Sequence, residues 1–363
     1  MLKEAERGCL VLADISGYTG FLADSELAHA QDVLRDLIQT VVGTQRPLLK
    51  LAKLEGDASF SYSLTDKPDG SALLDTLEAS YFAFRRRLDA IKRATTCDCN
   101  ACILIPGLNL KFVAHFGEFV RERMYGVEEL TGTDVIVAHR LLKNDVTSVQ
   151  GVAAYALLTD ALVRAANLDP QALAFAEHRH AYEGIGEVAG WVHDLEPRWQ
   201  SEQETRRVRV TAKAQLRAVE ADIPATPQEV WAVVTDPNRR ADFVPGVARV
   251  DEAPMGGRRG IGTTNHCVHG EGATLEEILD WRPFDYFTLK STVPGIGSWV
   301  VTEEVQATDG GAHVAIRFQK PRSAAERAKL EQVLPAMVPL YEASLQKLRE
   351  LLSAPAALPA PGR

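Results

Sequence analysis

The sequence predicts two α+β domains, because the pattern of strands and helices changes character near residue 200. The first 194 residues alternate short apolar runs with amphipathic helical stretches, which is typical of helices packed on a mainly antiparallel sheet. Beyond a polar stretch, alternating strands separated by glycine-rich turns lead into one long helical stripe over 322–352. This second order predicts a curved antiparallel sheet around a terminal helix. A length of 363 residues also favours two domains.

We expect four segments along the chain. They are a first domain over 1–195, a linker over 196–207, a second domain over 208–353 and a flexible tail over 354–363. Predicted strands of the first domain cover 9–13, 50–63 as a hairpin, 103–105, 110–117, 173–181 and 187–193, and predicted helices cover 22–42, 71–94, 134–142 and 152–166. In the second domain, a strand within 208–221 and a helix opening on Pro227 precede strands at 247–252, 261–268, 273–281, 285–292, 298–306 and 311–319.

Composition excludes several classes of protein. A formal net charge of −9 and a pI near 5.6 argue against a nucleic-acid-binding protein, which needs a basic surface. No run of about 18 apolar residues occurs, so we expect no transmembrane segment. The charged N-terminus does not fit a signal peptide, and the five cysteines are then expected to be reduced thiols. We therefore expect a cytoplasmic protein.

Two aspartates lie where apolar strands end. Asp14 follows the run 9–13, and Asp57 follows the strand that ends near Leu54. Carboxylates placed in this way can share a hard cation such as Mg²⁺, which is usually held by one or two carboxylates together with substrate phosphates. The alternative is structural: Asp14 caps the next helix and Asp57 is a turn residue.

These aspartates belong to stretches that resemble the catalytic domain of class III nucleotidyl cyclases. The matching stretches, in chain order, are Asp14-Ile15-Ser16-Gly17-Tyr18-Thr19, Lys53-Leu54-Glu55-Gly56-Asp57, 110–118 and 129–140. Four motifs in the expected order imply a ferredoxin-like α/β sandwich of the cyclase type over about residues 6 to 195.

The resemblance also implies roles for individual residues. Asp14 and Asp57 would bind Mg or Mn, and the carbonyl group of Ile15 would be a further ligand. Lys53 and Glu129 would contact the base of ATP or a related nucleotide. Arg140 would stabilise charge on the transferring phosphoryl group, and this role suits its planar fork of donors. Cyclase sites form between two such domains, so one domain per chain implies a homodimer.

Departures from the cyclase pattern predict weak or altered chemistry. Ile136 stands where cyclases carry an asparagine, and it offers no hydrogen bond. Glu129 replaces a base-selecting aspartate. In the turn 183–187, Ile185 replaces a phosphate-binding lysine, and Glu183 places an acid nearby. Losing one preorganised donor to the transition state typically costs about 10²- to 10³-fold in rate.

Three thiols lie close together in a stretch without a cyclase counterpart. Cys97, Cys99 and Cys102 can converge on a zinc ion or an iron–sulfur cluster, for which His115, Asp98 or a partner subunit would supply a fourth ligand. The alternatives are a thiol-containing loop and a redox switch.

The second half resembles the START-like or polyketide-cyclase helix-grip family. The resemblance rests on 223–237, which contains Thr226-Pro227 and Trp231, and on Leu279-Asp280-Trp281-Arg282-Pro283-Phe284 within 279–287. It implies an apolar cavity between sheet and helix that takes a hydrophobic small molecule. Residues expected to line this cavity are Asn265, Cys267, His269, Met337, Val338 and Tyr341. The alternative is that the apolar stripe of the helix packs in an ordinary core and leaves no cavity.

Three functions follow from these resemblances. The first is a cytoplasmic regulator or sensor in which an apolar ligand controls a nucleotide-binding module. The second is a slow adenylyl cyclase controlled by that ligand. In the third, the C-terminal cavity is itself the active site of a polyketide-cyclase-like enzyme.

Overall fold

The computed structural model describes residues 4–23, 27–94, 104–124, 127–204, 207–269 and 272–353. The chain forms two compact units that meet in sequence between residues 205 and 206. Both units are mixed α and β, as the sequence predicts. In the described ranges, no helix is both long and apolar enough to cross a membrane.

The N-terminal unit is built on one mainly antiparallel sheet. Its strands are β1 (Glu6–Ser16), β2 (Lys50–Glu55), β3 (Ala58–Leu64), β4 (Asn109–Met124), β5 (Val127–Thr131), β6 (Tyr155–Thr159), β7 (Ala176–Tyr182) and β8 (Gly186–Asp194). They lie in the order β2-β3-β1-β4-β6-β8-β7, with β5 paired to β4, and β4 and β6 form the one parallel pair in these described strands. Its helices are α1 (Tyr18–Ala23), α2 (Leu27–Gln45), α3 (Gly70–Ala94), α4 (Thr133–Leu141), α5 (Val146–Gln150), α6 (Asp160–Ala165) and α7 (Glu196–Glu204).

Strand β1 lies near the middle of this sheet and is buried on both faces. Its odd-numbered residues from Cys9 to Ile15 join the core formed with α2 and α3, whereas Leu10 and Leu12 join a second core that includes residues of α4. Burial on both faces explains why the sequence shows a continuous apolar run here rather than an alternating pattern. Asp14 lies near the C-terminal end of this strand.

Three of the predicted stretches take a different structure. The predicted helix 152–166 begins instead with strand β6, whose five residues are all buried between β4 and β8. Near the predicted strand 103–105, the chain forms a 3₁₀ turn over Ile105–Gly107, because Pro106 provides no backbone N–H for a sheet. The predicted linker begins with helix α7, whose Trp199 is buried against Phe82.

The C-terminal unit is a seven-stranded antiparallel sheet with a long terminal helix. Its strands are β9 (Gln215–Ile223), β10 (Arg249–Ala253), β11 (Thr264–His269), β12 (Gly272–Arg282), β13 (Tyr286–Val293), β14 (Gly297–Thr308) and β15 (Gly311–Gln319), in the order β10-β11-β12-β13-β14-β15-β9. Its helices are α8 (Pro227–Val234), α9 (Arg240–Phe243) and α10 (Ala324–Ser353), with a 3₁₀ turn over Pro237–Arg239.

Local sequence explains two of these elements. Helix α8 begins with a capping box, in which Thr226 and Glu229 satisfy each other's backbone N–H groups. Its Trp231 then packs edge-on against Trp281, Phe284 and Phe287. Helix α10 continues through Pro335 and Pro339, and its buried residues include Leu334 and Leu345. The sheet and α10 together give the predicted helix-grip arrangement.

Candidate functional site

The two predicted metal-binding aspartates lie together in the N-terminal unit. Asp14 is the cross-strand partner of Ala58, the residue that follows Asp57. The Ile15 N–H donates to the Asp57 carbonyl oxygen over 3.2 Å. Burial raises the pKa of Asp57, and the negative charge of Asp14 raises it further. The structure thus brings Asp14, Ile15 and Asp57 to one strand end.

A lysine already neutralises part of this charge. Lys111 Nζ lies 3.0 Å from Asp14 Oδ2, and both side chains are largely buried. In the described ranges, no three His, Cys, Asp or Glu side chains are grouped in a way that could hold a metal ion. The aspartate pair nevertheless fits Mg²⁺ or Mn²⁺, because such ions need only one or two carboxylates when substrate phosphates supply the other oxygens.

The two predicted base-contacting residues also lie together. Lys53 Nζ is 3.6 Å from Glu129 Oε2 and 3.0 Å from Glu55 Oε1. Glu55 also contacts His139 Nε2 over 3.1 Å. Hydrogen bonding to Glu55 raises the pKa of Lys53, so the ammonium group stays charged. Lys53 therefore has two acidic neighbours before any base is bound.

The other cyclase-type positions lie on helix α4 and in the turn between β7 and β8. Arg140 lies in α4, and its side chain has no ion-pair partner among the residues that the structure describes. Ile136, on the same helix, is 58% exposed. In the turn between β7 and β8, Ile185 packs against an apolar cluster, whereas Glu183 is exposed. Ile185 has thus become part of a hydrophobic core, which explains an apolar side chain at this position.

The predicted zinc ligands Cys97, Cys99 and Cys102 lie outside the described residues, and so does Asp98. The alternative fourth ligand His115 is described. Its ring nitrogens are 2.9 Å from Thr159 Oγ1 and 3.1 Å from Asp134 Oδ1. Zinc binding by His115 would therefore have to displace one of these contacts. The zinc site stays a prediction.

A large cavity lies between the sheet and α10 of the C-terminal unit. Its volume is about 530 Å³, within the usual range for small-molecule sites. Apolar side chains make up most of its wall, including Phe243, Trp299, Ile316, Met337 and Leu345. Trp299 and Ile316 come from the neighbouring strands β14 and β15, Met337 and Leu345 come from α10, and Phe243 comes from α9.

Four of the six predicted cavity residues line this space, namely Cys267, His269, Met337 and Tyr341. Asn265 lines a much smaller adjoining pocket and donates to Glu276 Oε2 over 3.3 Å. Val338 packs against the core without lining the cavity, because it lies about 100° around the helix from Met337. Of the three cavity residues predicted on α10, Val338 is therefore the one that the structure places outside the lining.

One wall of the cavity is charged, and the sequence analysis missed it. Arg240 Nη2 contacts Glu276 Oε1 over 3.0 Å, and Glu303 is buried nearby. Burial raises the pKa of Glu303 to about 7, with a further contribution from the charge of Glu276 and an opposing one from Arg240. A signal was present, since Glu303 lies between Val301 and Val305 at a position where the alternation of β14 predicts an apolar residue.

Comparisons with family models match both halves of the chain. Residues 199–353 match the family described as polyketide cyclase / dehydrase and lipid transport. Residues 34–150 match a family described as a protein of unknown function (DUF2652). The first match covers the whole of the sheet and helix that enclose the cavity.

Solved structures similar to this chain include two nucleotidyl cyclases and one protein from a biosynthetic locus. The adenylyl cyclase CyaB from P. aeruginosa is 13% identical, with a TM-score of 0.38, over 53% of this chain and 97% of that protein. The guanylyl cyclase Cya2 is 10% identical, with a TM-score of 0.35, over 53% of this chain and 93% of that protein. DynU16, a putative protein in the dynemicin biosynthetic locus, is 22% identical, with a TM-score of 0.30, over 38% of this chain. The chain spans 46% of the length of DynU16.

A curated relative has a much higher sequence identity. The uncharacterized protein Rv2561/Rv2562 of Mycobacterium tuberculosis is 35% identical over 165 residues, which are 45% of this chain and 73% of that protein. The chain therefore belongs to the same family as Rv2561/Rv2562.

Proposed function

We propose that the protein is a ligand-responsive regulator whose C-terminal unit binds a hydrophobic small molecule in the cavity beneath α10. The cavity itself is the observation that carries this proposal, because about 530 Å³ of mostly apolar space is too large to be a packing defect. The match of residues 199–353 to a lipid transport family supports it.

Molecules that copurify with the full chain test this function directly. Organic extraction of the purified protein, followed by mass spectrometry, should recover an apolar compound in about equimolar amount. A protein that is recovered without such a compound, and that also takes up no apolar compound offered to it, contradicts the proposal.

We further propose that the N-terminal unit binds ATP or a related nucleotide together with Mg²⁺ or Mn²⁺. Two observations support this proposal. Asp14 and Asp57 lie close together at one strand end, and Lys53 lies within 3.6 Å of Glu129. Arg140 has no ion-pair partner among the described residues, which suits a residue that serves the site of a second subunit. We therefore also propose a homodimer.

The Asp57→Asn variant tests nucleotide binding. Removing one carboxylate should weaken metal-dependent ATP binding by about tenfold or more, because buried charge contacts to a ligand are worth roughly 2 kcal/mol or more. Calorimetry with and without Mn²⁺ measures this effect.

Asp66→Asn provides a matched control, since Asp66 is an exposed aspartate in the turn after β3. This control should bind nucleotide as the wild type does. Equal ATP affinity with and without metal, in the wild type and both variants, contradicts a nucleotide site at Asp14 and Asp57.

We prefer a regulatory role to rapid cyclase turnover, because isoleucine replaces two polar side chains with which cyclases contact the nucleotide. Ile136 is exposed without a hydrogen-bonding group, and Ile185 is held in an apolar cluster. A slow adenylyl cyclase remains the second candidate, supported by Asp14, Asp57 and Arg140. Formation of cyclic AMP from ATP by the purified protein distinguishes the two.

The third candidate makes the C-terminal cavity an active site for a polyketide-like substrate. The family match over 199–353 includes cyclases and dehydrases, and Glu303 supplies an ionisable group with a pKa of about 7 at the cavity wall. Turnover of a polyketide-like substrate that is lost in Glu303→Gln would favour this candidate over a receptor.

A further inference from the structure

The charged side chains that line the cavity include one ion pair and one further carboxyl group. Arg240 comes from α9 and contacts Glu276 of β12, and both side chains are at least 86% buried. Glu303 of β14 has no hydrogen-bond or ion-pair partner among the residues that the structure describes. One cation thus faces two carboxyl groups at this wall.

Among the described residues that line the cavity, Arg240 is the one arginine or lysine. Glu303 is influenced by the charges of Arg240 and Glu276, and Tyr341 of α10 is influenced by these same three groups and by Cys267. The thiol of Cys267 and the phenol of Tyr341 are uncharged at neutral pH, because burial raises the pKa of each. The remaining titratable residue of the lining is His269, on β11.

Cross-strand register places Glu276 in a row of residues on the cavity side of the sheet. Glu276 pairs with Ser291, and Ser291 pairs with Trp299. All three side chains line the cavity, because directly paired residues share a face. Glu303 lies four positions beyond Trp299, roughly 13 Å further along the strand. Most of the remaining lining is apolar.

We propose that this cavity takes an apolar chain whose polar end is an uncharged or cationic hydrogen-bond donor, such as an alcohol or an amine, and that it rejects the same chain ending in a carboxylate. The inference rests on the proposed ligand-binding function and specifies its ligand class. Glu303 would accept the hydrogen bond of the ligand. A ligand carboxylate would instead add a third anionic group to a wall with one cation, and like charges brought together in this way weaken binding.

Three chains of equal length test the proposal on the full-length protein, namely 1-decanol, decylamine and decanoate. Each competes against the neutral dye Nile red at pH 8, where Glu303 is mostly ionised. We expect decanoate to bind at least about tenfold more weakly than 1-decanol. Decylamine binding more tightly than 1-decanol would identify an ammonium group as the preferred end, whereas similar affinities would show that the cavity accepts either end.

The Glu303→Gln variant should reduce the discrimination against decanoate by about tenfold, because it removes one of the two carboxyl groups. Glu277→Gln is the matched control, since Glu277 is an exposed neighbour of Glu276 that points away from the cavity. The control should keep the wild-type ratio of affinities.

The outcomes separate the ligand class from the function. Decanoate binding as tightly as 1-decanol, or discrimination that is unchanged in Glu303→Gln, overturns the inference and leaves ligand binding intact. Failure of all three chains and of Nile red to bind overturns both.

Discussion

At pH 8, Glu303→Gln is expected to be more stable than the wild type by about 3 kcal/mol, whereas at pH 4 the two proteins should be nearly equal. Burial raises the pKa of Glu303 from 4.5 to about 7 in the folded protein. The folded state therefore keeps a proton that the unfolded state releases. Protonated Glu303 therefore makes its full contribution to the free energy of unfolding below pH 4.5. This contribution is lost as the pH rises to about 7, and stability does not change further above that pH.

Urea unfolding from pH 4 to pH 8, followed by tryptophan fluorescence, measures this difference. Three of the five tryptophans, Trp231, Trp281 and Trp299, belong to the C-terminal unit, so their fluorescence reports on the region around Glu303. Glu277→Gln should show no such pH-dependent gain. A stability difference between Glu303→Gln and the wild type that is the same at pH 4 and pH 8 would mean that Glu303 titrates normally.

Asp280→Ala is expected to destabilise the C-terminal unit by about 3–5 kcal/mol, because it removes one member of a buried ionic network. The Asp280 side chain is 1% exposed and lies 3.0 Å from Arg282 Nε. It also accepts hydrogen bonds from Tyr286 Oη over 2.8 Å and from the Val208 N–H over 2.7 Å. Without the carboxylate, a largely buried guanidinium group and a buried hydroxyl would lose their partner.

Chemical denaturation of the full chain measures this loss in the transition of the C-terminal unit. Asp309→Ala is the control, since Asp309 is exposed in the turn before β15, and its change should stay within about 0.5 kcal/mol. A similarly small change for Asp280→Ala would show that water replaces its contacts. The network also holds the segment at Val208 against the outer face of the sheet, where Val210 N donates to Thr302 Oγ1 over 2.8 Å.

Local patterns predicted most elements of the C-terminal unit. Strands β10 to β15 lie within three residues of their predicted bounds, because turns that contain glycine or proline separate most of them. Strand β6 carries no such signal: its run of buried residues fits a helix or a strand equally well, and the neighbouring strands β4 and β8 decide the outcome. Tertiary pairing of this kind is not visible in a local pattern.

The candidate sites show the same division between local and long-range information. Asp14 and Asp57 were predictable because each follows a recognisable strand within a known motif order. The cluster of Arg240, Glu276 and Glu303 comes from three elements that are distant in sequence. Its one local signal is Glu303, which occupies a position of β14 where the alternation predicts an apolar residue. Met337 and Val338 are adjacent in sequence, and only the orientation of α10 decides which of them lines the cavity.

Ligand binding in the C-terminal cavity is tested most directly by filling the cavity from the helix. Met337→Trp places a larger side chain in the lining, whereas Gln346→Trp places the same side chain on an exposed position of α10 that does not line the cavity. We predict that Nile red binds the wild type and Gln346→Trp with the same affinity, and that Met337→Trp loses binding while keeping its circular dichroism spectrum. Equal binding of the dye by both tryptophan variants would contradict a ligand site beneath α10.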